Sequence, residues 1–167
     1  MSQVKSIQGS TKISSLNKYY NIIKILLTLT PFIALMYLSM EATKMGIDMI
    51  SLVQEQPRFT IMFLVAMINP FISYLLMFIQ TKIEENDISY AVINIMIFIA
   101  TEILLQNILY TILFSFILYK TLKAYNVTIR DCLKEKLQNK FLMTISGSLV
   151  VFLLACICLF ATIRINM

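Results

Sequence analysis

The amino-acid sequence predicts an all-α integral membrane protein, a compact bundle of four transmembrane helices with a short basic amphipathic surface helix. Of its 167 residues, 59% are hydrophobic and only 14% are charged, whereas a soluble domain carries about 25% charged residues. The apolar residues form long runs, and about 20 in succession are enough to span a bilayer. We therefore expect one membrane domain, residues 19–167, without a separate soluble core.

The first predicted span, residues 19–40, follows a polar leader, residues 1–18. The leader contains lysines and no acidic residue, which places the N-terminus inside by the positive-inside rule. The apolar run is long enough to span, and no Ala-x-Ala cleavage site follows it. We therefore expect an uncleaved transmembrane helix rather than a signal peptide.

The second predicted span, residues 59–81, contains a proline near its middle, in the pair Asn69-Pro70. Neighbouring helices are expected to satisfy the backbone groups that the proline frees. A short acidic turn, residues 82–87, follows the span. So short a connection makes the second and third spans adjacent and antiparallel.

The third apolar run, residues 88–119, has two interpretations. As a hairpin turning within residues 101–107, it would divide the basic residues eleven to three between the two sides of the membrane. A single helix divides them almost evenly, so the positive-inside rule favours the hairpin. The tip of such a hairpin would hold neither glycine nor proline, which favours a continuous helix. We expect one long tilted helix.

The loop of residues 120–140 predicts the surface helix. Ile129, Cys132 and Leu133 fall on one face at helical spacing, and the many lysines around them are typical of a helix lying on a membrane surface. Four basic residues are the expected contacts with lipid head groups or with a partner: Arg130, Lys134, Lys136 and Lys140.

The fourth predicted span, residues 141–163, has one face of small or β-branched side chains. They recur every three or four residues: Thr144, Ser148, Val151, Ala155, Cys158 and Thr162. Such a face allows another helix to approach closely. Packing within the bundle is the simpler explanation, and an interface with a second molecule is the alternative.

Glu102 is the one charged residue inside the third run, and an ionisable group within a membrane indicates a functional site. Together with Asn94, Thr101 and Gln106 it forms the predicted membrane-buried polar site. One interpretation is a proton or cation pathway. The other is a hydrogen-bonded glutamate that joins two helices. This second interpretation is favoured because the sequence has no other buried charge to pair with Glu102 except Lys24, which lies near the end of a span.

The sequence carries no motif for catalysis or cofactor binding. It has no histidine and no Cys-x-x-Cys pattern, so we expect no metal and no cofactor. It has no Gly-x-Ser-x-Gly motif, no phosphate loop and no paired acids within the spans, so we expect no enzymatic activity. The basic residues lie beside the apolar runs, which favours the lipid bilayer over nucleic acid as a partner.

Three functions remain open. The first is an accessory, assembly or immunity-type subunit that binds another membrane protein, or itself, through helix–helix contacts. The second is an oligomeric ion or proton pathway centred on Glu102. The third is a protein that binds anionic lipid and organises the membrane through the basic helix. In each case we expect a multi-pass protein of a cell membrane, and the abundance of Ile, Lys, Asn and Met suggests a bacterial one.

Overall fold

The computed structural model is all-helical over the residues that it describes, which are 2–138 and 141–166 for the backbone and 16–135 and 145–165 for the side chains. The helices are α1 Ser2–Met45, α2 Met49–Glu55, α3 Pro57–Glu84, α4 Ile88–Leu104, α5 Ile108–Tyr125, α6 Ile129–Gln138 and α7 Phe141–Asn166. Four of them are long and apolar enough to cross a membrane: α1, α3, α5 and α7. Helix α1 begins at Ser2 and therefore includes residues of the predicted polar leader.

The predicted single helix over residues 88–119 is wrong. The chain turns back at Leu105–Asn107, so that α4 and α5 form an antiparallel hairpin. The rings of Phe98 and Phe114 pack with their centroids 5.6 Å apart, whereas a continuous helix would separate these residues by about 24 Å. Each arm is 17 or 18 residues long, which is close to the length of a full span.

The hairpin turn is closed by backbone conformation rather than by glycine or proline. Gln106 adopts a left-handed conformation with φ +57°. The Asn107 N–H then donates to the Glu102 carbonyl at 2.9 Å, and the Gln106 N–H donates to the Ile103 carbonyl at 3.0 Å. This pair of bonds is the Schellman motif, which satisfies the last carbonyls of α4.

The same motif ends three other helices. The left-handed residues are Gly46, Asn86 and Asn126, with φ of 68°, 64° and 54°. In each case the next N–H bonds back to the carbonyl five residues earlier, at 2.9 to 3.2 Å. Glycine and asparagine adopt this conformation at low cost, so the local sequence explains where α1, α3 and α5 end.

Contacts between the helices define two ends of the bundle. At the end that we call the basic end, the middle of α1, around Tyr20 and Lys24, lies beside the ends of α3 and α5. Lys24 Nζ donates to Gln80 Oε1 at 2.6 Å, and the hydroxyls of Tyr20 and Thr121 are 3.0 Å apart. At the opposite end, the tip end, the start of α3, the α4–α5 turn and the end of α7 line one cavity.

Helix α4 is the centre of the bundle. It packs against α3, α5, α6 and α7, and about half of its side chains are buried. Around it lies a single large core that includes Tyr20, Ile72, Leu76, Phe98, Phe114 and Val151. A helix enclosed on several sides must be apolar nearly all round, and because α5 follows directly, the two helices form one long apolar run in the sequence.

The outer surface of the bundle is also strongly apolar. Phe32, Phe71, Ile112 and Ile157, on four different helices, are each more than 60% exposed. Soluble monomers rarely expose contiguous apolar surface on this scale. The fold is therefore compatible with a multi-pass membrane protein.

Helix α6 corresponds to the predicted basic surface helix, but its apolar side covers the bundle. It packs against α4 and α7, and Cys132 is buried. The Ser89 hydroxyl at the start of α4 donates to the Glu135 carboxylate. The helix therefore closes the basic end and keeps Arg130 and Lys134 exposed.

Candidate functional site

The buried polar side chains of α4 lie in two places along its length. Asn94 lies towards the basic end, and Thr101 and Glu102 lie one turn before the hairpin tip; all three are 1% exposed or less. Eight residues of helix between Asn94 and Glu102 correspond to about 12 Å. The structure therefore does not bring the predicted polar site together as one cluster.

Gln106 is separated from the rest of the predicted site. It lies in the turn and is exposed, because the helix that would have aligned it with Glu102 ends at Leu104. Tyr110, on the far side of the turn, is buried in α5 and donates to the Leu26 carbonyl of α1 at 3.0 Å. The polar stripe expected along one helix is instead divided between the two arms of the hairpin.

Asn94 joins α4 to α7. Its side-chain carbonyl accepts a hydrogen bond from the Ser148 hydroxyl, and its amide group donates to the Tyr90 carbonyl at 2.8 Å. Thr101 donates to the Ile97 carbonyl of its own helix at 2.9 Å. These two polar groups are thus satisfied inside the bundle, and their role is to hold helices together.

Glu102 differs from its neighbours because its carboxyl group is unsatisfied. The residue is 0% exposed, and neither carboxyl oxygen makes a hydrogen bond of normal geometry within the described chain. The Asn107 side chain lies close enough to interact with it. An unsatisfied buried polar group in a native bundle needs an explanation, such as a bound ion or water.

Asn69 of α3 is the second unsatisfied group, and in the sequence it stands out only as the neighbour of Pro70. It is 0% exposed, and neither atom of its side-chain amide has a hydrogen-bond partner within the described chain. Because Pro70 has no N–H, the Ala66 carbonyl also loses its helical donor.

Asn69 and Glu102 lie at a similar depth in the bundle. Val65, one turn before Asn69, lines the tip-end cavity together with Leu104 and Leu105. The two helices are antiparallel, so the step of one turn along α3 from Val65 to Asn69 corresponds to a step of about one turn back along α4 from Leu104 or Leu105. That step ends within about two residues of Glu102. Both side chains are therefore about one turn below the cavity.

Both side chains are also on the core-facing sides of their helices. Asn69 continues a stripe of buried residues spaced three or four apart: Ile72, Leu76, Ile79 and Ile83. Glu102 continues a similar stripe of Ala91, Ile95 and Phe98. All the apolar members of both stripes belong to the same core, so we infer that Asn69 and Glu102 face a common interior region. The regular spacing of Asn69 with Ile72 and Leu76 was the sequence signal for this residue.

The cavity above them is open at the tip end. It measures about 220 Å³ and lies between α3, the hairpin turn and α7. Its polar lining residues are Arg58, Gln106 and Thr162. An open cavity with three polar residues in a mostly apolar lining, close to buried unsatisfied groups, can admit water or a small ion.

The predicted helix-packing face of α7 points into the bundle. Ser148, Val151, Ala155 and Cys158 are all buried, Thr162 is half-buried, and the Thr144 side chain lies outside the described residues. The face packs against α3 and α4. These positions are therefore occupied by the chain itself and are not available to a second molecule in this conformation.

The predicted basic contacts lie at the basic end. Arg130 and Lys134 are exposed, while the side chains of Lys136 and Lys140 lie outside the described residues. Lys120 lies 5.3 Å from the centre of the Phe116 ring, where its charge can interact with the aromatic face. The basic end therefore presents positive charge on α5 as well as on α6.

Within the described part of the chain, no group of three or more histidine, cysteine or acidic residues is arranged to hold a metal ion. The three cysteines are free thiols, with Cys132 and Cys158 buried.

Comparisons of the chain with protein-family models, with curated proteins and with solved structures found no match.

Proposed function

We propose that this is a non-enzymatic multi-pass membrane protein that binds a proton or a monovalent cation at Glu102 and Asn69. The observation that carries the proposal is that the four side-chain oxygen and nitrogen atoms of these residues are buried and make no hydrogen bond of normal geometry in the described chain, although the Asn107 side chain lies near Glu102. Leaving a polar group unsatisfied in an apolar interior costs a few kcal/mol. A bound proton, ion or water would remove much of this cost.

The chemistry of the neighbouring groups supports a cation. The site offers a carboxyl group, an amide oxygen and the Ala66 carbonyl freed by Pro70, all of which are oxygen donors. One carboxylate balances one positive charge, which favours a monovalent ion or a proton over a divalent metal. Interrupted helices with free carbonyls are how many transporters hold their coupling ions.

The position of the site supports exchange with one side of the membrane. Glu102 lies one turn below the hairpin tip, beneath the open cavity that Arg58 and Gln106 help to line. An ion could enter from the tip end without crossing the whole bundle. Passage to the basic end requires a further opening, because Phe98 and Phe114 fill the core below, and we propose that the bundle makes this opening and so carries the bound ion across the membrane.

The test is ion flux in proteoliposomes that contain the purified full-length protein. We expect the wild type to dissipate an imposed pH or sodium gradient faster than empty liposomes, and Glu102→Gln to remove the difference. The matched control is Glu55→Gln, which neutralises an exposed acidic residue of α2 at the same end. Equal flux in the wild type and in a folded Glu102→Gln variant would contradict the proposal.

Binding to a partner membrane protein, the first function expected from the sequence, stays a prediction. Its proposed surface must change, because Ser148 and Ala155 are buried within the bundle. Replacing both by leucine is now expected to disrupt the fold itself, since the added volume has no space. A partner would have to bind the outer faces of α1, α3, α5 or α7.

A further inference from the structure

A second cavity lies at the basic end, in the groove between α1 and α3, and none of the roles above involves it. It measures about 310 Å³ and is lined by Asn21, Lys24, Met77, Gln80, Thr81 and Glu84. Beside the cavity, hydrogen bonds join the two helices. The Ser73 hydroxyl donates to the Lys24 carbonyl at 3.0 Å and lies 3.0 Å from the Thr28 hydroxyl.

The cavity holds one positive and one negative group that do not neutralise each other directly. Lys24 Nζ donates to Gln80 Oε1 at 2.6 Å, which leaves two of its three N–H bonds available. Glu84 lies one turn beyond Gln80 and interacts electrostatically with Lys24. The ion pairs within the described chain, Lys44–Glu41 and Lys82–Glu85, involve neither residue.

The surroundings of the cavity are those of a lipid-binding groove. Towards the middle of the bundle, both helices expose large apolar side chains beside it: Ile25, Leu29, Tyr74, Met77 and Phe78. Lys24 lies within the first membrane-length helix, about two turns after the start of its apolar part at Leu16. A polar head-group cavity above an apolar groove matches the two parts of a phospholipid.

We propose that this cavity binds a phospholipid whose head group carries both a phosphate and a primary ammonium, that is, an ethanolamine phospholipid. Lys24 donates to the phosphate, and Glu84 accepts from the ammonium. Asn21, Gln80 and Thr81 supply further hydrogen bonds. The proposal requires that the bundle lies in a bilayer, but it does not depend on the cation site at Glu102.

Each charged residue has a separate predicted effect on head-group selectivity. A choline head group has no N–H to donate to Glu84, and a glycerol head group has no positive charge. Glu84→Gln should therefore abolish the preference for ethanolamine over choline and glycerol while retaining binding of the phosphate. Lys24→Gln should weaken binding of all three lipids by about tenfold, the loss expected from one charge-assisted hydrogen bond.

The experiment measures binding of short-chain phospholipids to the purified full-length protein in detergent, by native mass spectrometry and by thermal stabilisation. The wild type should bind the ethanolamine lipid about tenfold more tightly than the glycerol and choline lipids, a difference of one charged contact. Lys24→Arg keeps the positive charge and should retain binding. It therefore distinguishes loss of the binding site from loss of the fold. The matched controls are Lys82→Gln and Glu85→Gln, which alter an exposed ion pair at the same end of α3 and should leave selectivity unchanged.

Three results would overturn the proposal. The first is a wild type that does not distinguish the three head groups. The second is a loss of selectivity in the Lys82 and Glu85 controls equal to that in the Lys24 and Glu84 variants. The third is binding of soluble phosphoethanolamine as tight as that of the lipid, which would identify the free head group as the ligand.

Discussion

A methyl group on the Cα of Gly147 in α7 would lie 2.8 Å from Cδ2 of Leu75 in α3. The two helices thus approach closely at the point where α7 carries no side chain. The atom in contact is the end of a flexible leucine, so it can move aside for a small group more easily than for a large one. The absence of a side chain at 147 sets the distance between α3 and α7.

Enlarging residue 147 should destabilise the bundle in proportion to size. We expect Gly147→Ala to cost about 1 kcal/mol and Gly147→Leu about 3 kcal/mol or more, as overpacked positions do. Thermal unfolding in detergent measures both. Leu75→Ala should largely relieve the cost of Gly147→Ala, and purely additive effects in that double variant would contradict the contact. Val150→Ala, on the exposed side of α7, is the control.

The left-handed conformation of Gln106 makes the hairpin tip sensitive to substitution. Glycine adopts this conformation without steric cost, so Gln106→Gly should stabilise the protein by about 0.5–1 kcal/mol. Gln106→Val should destabilise it, because a β-branched side chain is strongly disfavoured at positive φ. The melting temperatures of the two variants in detergent are compared. If valine were as stable as glycine at this position, the turn would not have this geometry.

The hairpin also makes a clear prediction of orientation. Of the basic residues with described side chains, seven lie at the basic end: Lys18, Lys24, Lys82, Lys120, Lys123, Arg130 and Lys134. Three lie at the tip end: Lys44, Arg58 and Arg164. The positive-inside rule therefore predicts that the basic end faces the cytoplasm.

Labelling of single cysteines tests this orientation. Cys132 is buried and is a poor reporter, so cysteines are introduced at the exposed positions Lys134 and Gln54 in a cysteine-free background. A membrane-impermeant maleimide should label Gln54→Cys in intact cells and Lys134→Cys only after lysis. The reverse pattern would mean that the bundle is inverted, and the cysteine-free protein is the control for background labelling.

The sequence predicted the helical class and most of the apolar segments, because long apolar runs are a strong and local signal. It did not predict the turn at Leu105–Asn107. Glutamine rarely adopts a left-handed conformation, so the tip carried no glycine, asparagine or proline at the decisive position. The division of basic charge did favour the hairpin, and it was the better guide because it depends on all the loops at once.

The candidate site was only partly predictable for a related reason. Glu102 is conspicuous in any sequence as a charge within an apolar run. Asn69 became relevant only when the antiparallel packing of α3 and α4 placed it at the depth of Glu102. Gln106 had to be removed from the site, because whether it aligns with Glu102 depends on where α4 ends.

The hydrogen bond between Ser148 and Asn94 joins residues 54 positions apart and connects α7, the last helix, to α4. During synthesis the chain emerges from its N-terminus, so α4 is complete well before its partner in α7 exists. Until then the Asn94 side chain lacks this bond and the α3–α4 surface that α7 covers stays open. For a bundle that inserts into a membrane during synthesis, entry of α4 and closure by α7 are therefore separate events, and the interval between them is when an assembly factor or quality-control protease could recognise the unfinished chain.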